Sequence, residues 1–306
     1  MGTRMKVFVT GASGYIGGSV AAGLLASGHE VMGLVRSNER ASEVQAQGIE
    51  PLLGTLDDAD LIAAAARAAD AVINAANAEH RGVVEAILTG LAGTDKPLLQ
   101  TSGSSIVADR AAGEPTDKIY DEETPVRPLP GRAARVALND TVLAAARDGV
   151  RAVVICPSLI YGPGRGVNAS SIQIPWLIAL GKKHRVPRHI GRGENIWSHV
   201  HIDDLVDLYL LALAKAPAGA FYYVENGENS MRAACQAIGR MLGLGERTEP
   251  MTLEEAAVEW GEGAASYTMG SNSRVRAVRG RQELGWAPHR PGLLEDIEHG
   301  SYRETV

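Results

Sequence analysis

The stretch Val-Phe-Val-Thr-Gly-Ala-Ser-Gly-Tyr-Ile-Gly-Gly, residues 7–18, decides the fold of this 306-residue chain. Its apolar run 7–9 predicts a buried strand, and a helical pattern over 19–27 follows the glycines. The glycines recur every three residues, which lets the backbone turn tightly and approach a phosphate with no side chain in between. The helix N-terminus behind the turn supplies free N–H groups and the positive end of a dipole. A strand, a glycine turn and a helix in this order predict a nucleotide-binding turn and not a plain connecting loop.

The composition is typical of a soluble globular enzyme, with 45% hydrophobic and 22% charged residues. The net charge of −6 argues against nucleic acid as a main partner, because phosphate binding needs clustered lysines and arginines. The two cysteines, Cys156 and Cys235, form neither a disulfide framework nor a metal-ligand pattern. No apolar run approaches membrane-spanning length, and the first strand begins too early to leave room for a signal peptide. We therefore expect a cytoplasmic monomer or homodimer whose partner is a small molecule and not a membrane.

Strand and helix patterns alternate five times along the first hundred residues, with short connections. After the first strand, buried strands are predicted over 30–35, 50–53, 70–77 and 97–100, and a sixth over 150–156. This alternation is typical of an α/β fold in which helices cover both faces of a parallel sheet. Ligands of such sheets bind at the carboxyl ends of the strands.

The end of the second predicted strand bears on the choice between NAD and NADP, because it faces the adenosine ribose in a dinucleotide-binding unit. An aspartate or glutamate there would bind both ribose hydroxyls and repel a 2′-phosphate. This chain has Arg36, Ser37 and Arg40 there, with Glu39 among them. A guanidinium suits a phosphate dianion in both charge and donor geometry. The pattern favours NADP as cofactor, with NAD possible; the alternative is that Arg36 is a solvated strand-end residue.

Several separated motifs then agree with one another in their order along the chain. They are Thr10–Gly17, Asp70–Ala76, Pro157–Gly164, His201–Asp204 and Leu284–Trp286. With them the chain resembles the extended short-chain dehydrogenase/reductase superfamily, in its NAD(P)-dependent epimerase/dehydratase-like group. The resemblance implies a Rossmann doubly wound parallel sheet with a smaller C-terminal substrate domain. Residues 1–165 would form the NAD(P)-binding domain, to which 196–225 return, and 166–195 with 226–306 would form the substrate domain.

The chain departs from the family pattern at the residues that carry proton chemistry. Family members usually have a serine or threonine after the fifth strand and a Tyr-x-x-x-Lys pair on the next helix. Here Gly103 falls at the serine position, while Gly131 and Arg135 fall at the tyrosine and lysine positions. No Tyr-x-x-x-Lys occurs anywhere in the chain. The segment 193–201, with a tryptophan and two histidines, supports membership of an atypical subgroup that lacks the pair.

Cofactor contacts are expected from the glycine turn, the strand exits and the segment after the sixth strand. The predicted residues are Gly11, Ser13, Gly14, Tyr15, Ile16, Gly17, Arg36, Ser37, Thr55, Leu56, Asn74, Ala75, Ala76, Thr101, Arg135, Pro157, Ser158 and Leu159.

Four residues are candidates for the missing catalytic groups. Ser104 offers a hydrogen bond to a substrate carbonyl, and a loop serine that bonds backbone is the alternative. Arg135 would bind the nicotinamide ribose as the family lysine does, or it is a helix-surface arginine; a guanidinium does not act as an acid or base in either case. Tyr120 and Tyr161 lie nearest in sequence to the expected site and are candidates to replace the proton donor; packing is the alternative for each.

Substrate contacts are expected from Asn77, His80, Gly103, Trp176 and Trp197. The imidazole of His80 suits proton transfer, or His80 is a loop histidine without a role, and Trp176 and Trp197 suit an apolar or aromatic pocket.

Two further features bear on a second diphosphate site and on a metal site. The basic stretch 182–185 with Arg188 and Arg192 would suit the diphosphate of a nucleotide sugar, or would be a solvated basic loop. His199 and His201 share one face of a predicted strand, but no pattern places a third ligand, so we expect no metal.

These observations favour an NADP-dependent oxidoreductase that transfers hydride to or from a small carbonyl, imine or enone. One alternative is a nucleotide-sugar epimerase or dehydratase that retains NAD. The other is a non-catalytic redox sensor that binds the dinucleotide.

Overall fold

The computed structural model describes residues 4–305 of the chain. Its strands are β1 (Lys6–Thr10), β2 (Glu30–Val35), β3 (Glu50–Leu53), β4 (Ala71–Asn74), β5 (Pro97–Thr101), β6 (Arg151–Pro157), β7 (Leu159–Tyr161), β8 (Arg188–Ile190), β9 (Ile196–His201), β10 (Ala220–Val224), β11 (Glu228–Ser230) and β12 (Glu249–Met251).

The α-helices lie between and after these strands. They are α1 (Tyr15–Ala26), α2 (Asn38–Gln45), α3 (Ala59–Ala68), α4 (Arg81–Leu91), α5 (Pro130–Ala144), α6 (Gln173–His184), α7 (Ile202–Lys215), α8 (Met231–Met241), α9 (Leu253–Trp260), α10 (Glu262–Ala264), α11 (Val278–Leu284) and α12 (Leu293–His299). Short 3₁₀ turns cover Ser104–Val107, Ala145–Asp148 and Ser301–Thr305, and one π-helical turn covers Ala265–Met269. Across the described residues, every helix is too short or too polar to cross a lipid bilayer.

Seven parallel strands form the central sheet in the order β10-β6-β5-β4-β1-β2-β3. The strand order reverses between β1 and β4, which is the point where doubly wound sheets bind their ligands. Successive side chains of a strand point to opposite faces of the sheet, so β1 contributes to two core clusters. Val7 and Val9 pack into the cluster under α1 and α7, whereas Phe8 packs into the cluster under α3, α4 and α5. The predicted α/β fold with a doubly wound parallel sheet is therefore confirmed.

A second, smaller layer stands beside this sheet. Strand β9 pairs with β7 and β11, and β8 pairs with β12. Strand β7 comes from the predicted dinucleotide domain and β11 from the predicted substrate domain, so the two segments share one sheet. Leu284 and Trp286, from the predicted substrate domain, pack into the same core cluster as β1.

Candidate functional site

The turn between β1 and α1 is built so that only glycine fits at its critical positions. Gly11 has φ +73°, and a Cβ there would lie 2.7 Å from the carbonyl oxygen of Ala75. A Cβ at Gly17 would collide with the Gly11 carbonyl oxygen. The glycines thus bring the turn against the exit of β4, and α1 against the turn, with no side chain in between.

The N-terminus of α1 is left open by this turn. Its N-cap residue is Gly14, which offers no side-chain acceptor, and the first turn holds no acidic residue. The first N–H groups of the helix are therefore available to an anion, and the helix dipole favours one. A dinucleotide diphosphate fits this cradle by both shape and charge.

A cleft of about 570 Å³ opens from the glycine turn toward the ends of β2, β3 and β4. It is lined by Gly11, Ser13, Gly14, Leu34, Val35, Arg36, Arg40, Thr55, Leu56, Asp57, Ala75, Ala76, Asn77 and His80. Eight of the predicted cofactor residues are among these. Asn77 and His80, which were expected at the substrate, lie in this cleft instead, with His80 Nδ1 capping α4 and His80 Nε2 3.2 Å from Asp57.

The cationic side of the cleft is formed by two arginines. Arg36 is exposed at the end of β2, and its guanidinium has no hydrogen bond or ion pair within residues 4–305. Arg40 is held by Glu43 at 2.7 Å, and Ser37 accepts the backbone N–H of Arg40 as the N-cap of α2. Arg36 is thus the guanidinium of the pair that is free to meet an incoming anion.

Several predicted cofactor residues have side chains that bond within the protein. Asn74 accepts the Thr10 hydroxyl and donates to Gln100. Thr101 shares a hydrogen bond of 2.6 Å with Tyr209, and the Ser158 hydroxyl donates to the carbonyl oxygen of Val224. These polar groups hold neighbouring strands and helices together.

The remaining predicted cofactor side chains serve packing. Tyr15 donates its hydroxyl to the carbonyl oxygen of Gly162 at 2.7 Å, and burial raises its pKa. Leu159 is buried in the smaller layer, and Ile16 packs against the core beneath α1. Pro157 closes β6, where it pairs with Val224.

At the ends of β4 and β5 the structure gathers a second set of charged residues. The Arg135 guanidinium donates to the Ser105 hydroxyl at 3.1 Å and to Glu79 at 2.8 Å. Its Nη1 would lie 3.2 Å from a Cβ at Gly103, so the residues at the family's serine and lysine positions are neighbours. Arg132 Nη1 lies 3.9 Å from the same Glu79 carboxylate, and burial, followed by the charge of Arg135, lowers the pKa of Arg132.

Three of the candidate catalytic side chains are engaged elsewhere. The Ser104 hydroxyl is buried and accepts from Ser273 at 2.7 Å. Tyr161 is fully buried and donates to the carbonyl oxygen of Pro291, and burial raises its pKa. Tyr120 is 7% exposed, packed in a small apolar cluster, with the Lys118 ammonium 4.5 Å above its ring. These contacts favour the packing alternative for both tyrosines and a structural bond for Ser104.

The two tryptophans expected at the substrate, Trp176 and Trp197, lie in the smaller layer, and neither lines the cleft beside the glycine turn. Trp197 is 4% exposed, and its indole N–H donates to the carbonyl oxygen of Ser271. Trp176 stacks on Trp260 with ring centroids 6.2 Å apart.

The histidine pair and the basic stretch also have partners within the protein. His199 bonds to Asn229, His201 caps α7, and burial lowers the pKa of both imidazoles. In the basic stretch, Lys183, Arg188 and Arg192 form ion pairs with Glu259, Glu255 and Glu114, respectively.

One group of possible metal ligands gathers within the described chain: Asp204, Asp207 and His289. The Asp204 carboxylate already accepts the backbone N–H groups of His289 and Arg290. It therefore acts as an anchor for that loop.

A residue that the sequence patterns did not single out stands beside Gly131. The Tyr267 hydroxyl would lie 2.6 Å from a Cβ at Gly131. The guanidinium carbons of Arg132 and Arg110 lie 4.6 and 5.5 Å from the centroid of the Tyr267 ring. No local motif marks this tyrosine, because its partners come from segments far away in sequence.

Comparison with known proteins agrees with this geometry. The model of the NAD dependent epimerase/dehydratase family matches residues 7–224, which span the glycine turn and all seven strands of the central sheet. The chain belongs to the NAD dependent epimerase/dehydratase family.

Relatives of this family member cover nearly its whole length. An uncharacterized protein of Schizosaccharomyces pombe is 32% identical over 97% of this chain and 100% of its own. The 4-hydroxy-2-methyl-3-oxo-4-farnesyl-3,4-dihydroquinoline-1-oxide ketoreductase of Stigmatella aurantiaca is 29% identical over 94% of this chain and 95% of its own. The crystal structure of dTDP-glucose 4,6-dehydratase from Bacillus anthracis in complex with NAD matches the fold with a TM-score of 0.76, at 18% identity over 96% of each chain.

The family match and the named reductases among its relatives identify this family member as an NAD(P)-dependent oxidoreductase of the extended short-chain dehydrogenase/reductase type. The hypothesis of a non-catalytic redox sensor is accordingly not favoured.

Proposed function

We propose that this protein is an NADP-dependent reductase of small carbonyl, imine or enone compounds. The observation that carries the cofactor preference is Arg36, which is exposed at the end of β2, lines the cleft and has no side-chain partner among residues 4–305. Glu39, the acidic residue next in sequence, does not line the cleft. A guanidinium in this position binds a ribose 2′-phosphate through charge-assisted hydrogen bonds.

The residues at the ends of β1–β3 and those at the ends of β4–β6 have distinct tasks in this function. The glycine turn and the α1 N-terminus hold the diphosphate, and Arg36 holds the 2′-phosphate. NADPH, when bound, supplies the hydride for reduction of the substrate. Arg135 presents guanidinium donors beside Gly103, where they orient the nicotinamide ribose or a substrate oxygen and stabilise negative charge on it.

Binding of the two dinucleotides tests the cofactor preference directly. We expect tighter binding of NADPH than of NADH when each is titrated by fluorescence or calorimetry. Tighter NADH binding, or binding of neither, would overturn the preference.

Replacing Arg36 tests the residue itself. Arg36→Ala is expected to raise the Kd for NADPH by about 10- to 100-fold, because a hydrogen bond to a charged group contributes about 1.5–3 kcal/mol. The Kd for NADH should stay unchanged, since NADH has no 2′-phosphate. Arg147→Ala is a matched control, because Arg147 is exposed on the 3₁₀ turn Ala145–Asp148, which precedes β6, and does not line the cleft. An equal loss for both dinucleotides in Arg36→Ala would show that Arg36 does not read the phosphate.

The substrate class is tested by consumption of NADPH with para-nitrobenzaldehyde, cyclohexenone and pyrroline as probes. Reduction of at least one probe is expected, and reduction of none would reject this substrate class. The ion pairs that occupy Lys183, Arg188 and Arg192 speak against a second diphosphate site of the nucleotide-sugar kind. A nucleotide that stays bound through purification, with no net NADPH turnover, would instead support an epimerase or dehydratase.

A further inference from the structure

We propose that Tyr267 is the proton donor of this oxidoreductase, supplied by the C-terminal segment in place of a tyrosine on α5. The inference rests on the proposed reductase function. It begins with the juxtaposition of the Tyr267 hydroxyl and Gly131, where a Cβ would lie only 2.6 Å from the phenol oxygen. Any larger residue at position 131 would displace this phenol, so the glycine leaves the space that the tyrosine hydroxyl occupies.

The location of Gly131 puts the phenol in the half of the site where the reaction must occur. In a doubly wound sheet the cofactor crosses the point where the strand order reverses, so its two ends lie on opposite sides of β1. The 2′-phosphate end lies at β2, near Arg36, which leaves the ends of β4, β5 and β6 for the nicotinamide. Gly131 stands one helical turn before Arg135, which contacts Ser105 after β5 and Glu79 after β4.

The chain has eight tyrosines, all within residues 4–305. Few of the other seven are alternatives to Tyr267 as a proton donor. The hydroxyls of five are hydrogen-bonded within the protein: Tyr15, Tyr161, Tyr209, Tyr222 and Tyr302. The Tyr223 hydroxyl is fully buried and has no hydrogen-bond partner in the described part of the chain, and Tyr120 is packed in its apolar cluster. Tyr267 is partly exposed, and its hydroxyl has no hydrogen-bond partner within the described residues.

Two guanidinium groups lie against the phenol ring. The Arg132 guanidinium lies over the ring at 4.6 Å, and Arg110 approaches it at 5.5 Å. These cation–π contacts hold the ring beside the cluster of Arg132, Arg135 and Glu79. A guanidinium does not itself give up a proton, which leaves the phenol as the acid of this cluster.

The tyrosine is held by contacts that cross the whole chain. It lies on the π-helical turn Ala265–Met269, a geometry that is often found at functional sites. The fully buried Asn195 amide donates to the carbonyl oxygens of Met269 and Ser271, and the Gly113 N–H donates to that of Gly270. These bonds fix the turn against β9 and the loop before α5.

With a carbonyl substrate, the carbon receives a hydride and the oxygen receives a proton. The carbonyl carbon gains the hydride and is reduced, while NADPH is oxidised to NADP⁺. The carbonyl oxygen takes the Tyr267 proton, so the phenol O–H bond breaks and the alcohol O–H bond forms. The phenolate regains a proton from water.

The first test measures turnover. Tyr267→Phe should lower kcat for para-nitrobenzaldehyde by about 100-fold or more, because a positioned general acid contributes about 10²–10⁴-fold. The Kd for NADPH should stay within about twofold of wild type, since the phenol holds no phosphate. Tyr222→Phe is the control, because it removes a tyrosine hydroxyl that bonds to Glu283, outside this cluster. An unchanged kcat in Tyr267→Phe would overturn the proposal.

The second test needs no turnover. Tetranitromethane should nitrate Tyr267 in the free protein, and saturating NADP⁺ should protect it, as read by mass spectrometry of the peptide that carries the residue. Equal nitration with and without NADP⁺, or no nitration in either state, would show that the phenol does not border the cofactor and would overturn the proposal. Failure of the reductase function has a different signature: wild-type protein that binds no NADPH, or that binds it and reduces no probe.

Discussion

The two halves of the site differ in how they are built. The half at the ends of β1, β2 and β3 is an open cleft of about 570 Å³ that reaches the exit of β4. Its shape comes from glycines close together in sequence, and Arg36 and Arg40 give it a cationic side. The half at β4–β6 is crowded with side chains that bond to one another, Arg135 and Arg132 meeting at Glu79 and Tyr267 standing beside Gly131. In the first half, the first N–H groups of α1 and the Arg36 guanidinium have no partner among residues 4–305, so they are available to a ligand. The second is prepared by long-range contacts, so its chemistry depends on distant segments.

The largest expected effect tests how strictly the first half depends on its glycines. Gly17→Ala would drive a methyl group into the Gly11 carbonyl oxygen, which must shift and distort the cradle for the diphosphate. We expect the Kd for NADPH to rise about 100-fold or more, equivalent to about 2.7 kcal/mol. Gly263→Ala is the control, because a Cβ there meets nothing within 4 Å. Near wild-type NADPH affinity in Gly17→Ala would mean that the glycine turn tolerates the shift and is less rigid than the close contact at Gly17 indicates.

The first half could be predicted from sequence because its determinants are local. Gly11, Gly14 and Gly17 lie within one turn, and Arg36 follows directly from the strand that pairs with β1. The turn is therefore readable from spacing alone, and so is the alternation of strands and helices. The three-residue strands β8 and β12 escaped prediction, because so short a run carries no periodicity.

The second half could not be predicted in the same way. Ser104 and Ser273 are bonded across a separation of 169 residues, so a serine in a favourable sequence position turns out to hold two segments together. Tyr267 likewise meets Gly131 only in the folded chain. The residue type of Trp197 suggests a substrate pocket, whereas its burial and the hydrogen bond from its indole N–H to the Ser271 carbonyl oxygen place it in a core. Contacts of this range depend on packing, which a single sequence does not display.

A prediction of intermediate size tests whether the second half depends on its C-terminal segment. Glu228 binds Arg274 with both carboxylate oxygens, at 2.6 and 3.0 Å, and also binds Arg276. The hydrogen bonds from Arg274 are the largest cause that lowers the pKa of Glu228 to about 2. Because the folded-state pKa is lowered, the stabilisation is fully present above pH 4.5 and is lost as the pH falls toward 2.

Glu228→Gln is therefore expected to reduce the free energy of unfolding by about 2–3 kcal/mol at neutral pH, measured by urea denaturation. The difference from wild type should shrink as the pH is lowered from 5 to 3. Glu246→Gln is the control, since its ion pair with Arg240 is exposed and such pairs contribute about 0–1 kcal/mol. A difference between Glu228→Gln and wild type that does not change with pH would show that packing, and not charge, makes this contact important.

The smallest expected effect tests the boundary of the second half. Trp176 stacks on Trp260 at 6.2 Å between α6 and α9, and neither tryptophan lines the cleft beside the glycine turn. Trp176→Phe should therefore reduce the free energy of unfolding by less than the contribution of an aromatic pair, about 0.5–1.5 kcal/mol, because phenylalanine keeps a ring against Trp260. The Kd for NADPH and kcat with para-nitrobenzaldehyde should match wild type. A clear rise in KM for that aldehyde at unchanged stability would instead place Trp176 at the substrate, and the reacting half would then extend into the smaller layer.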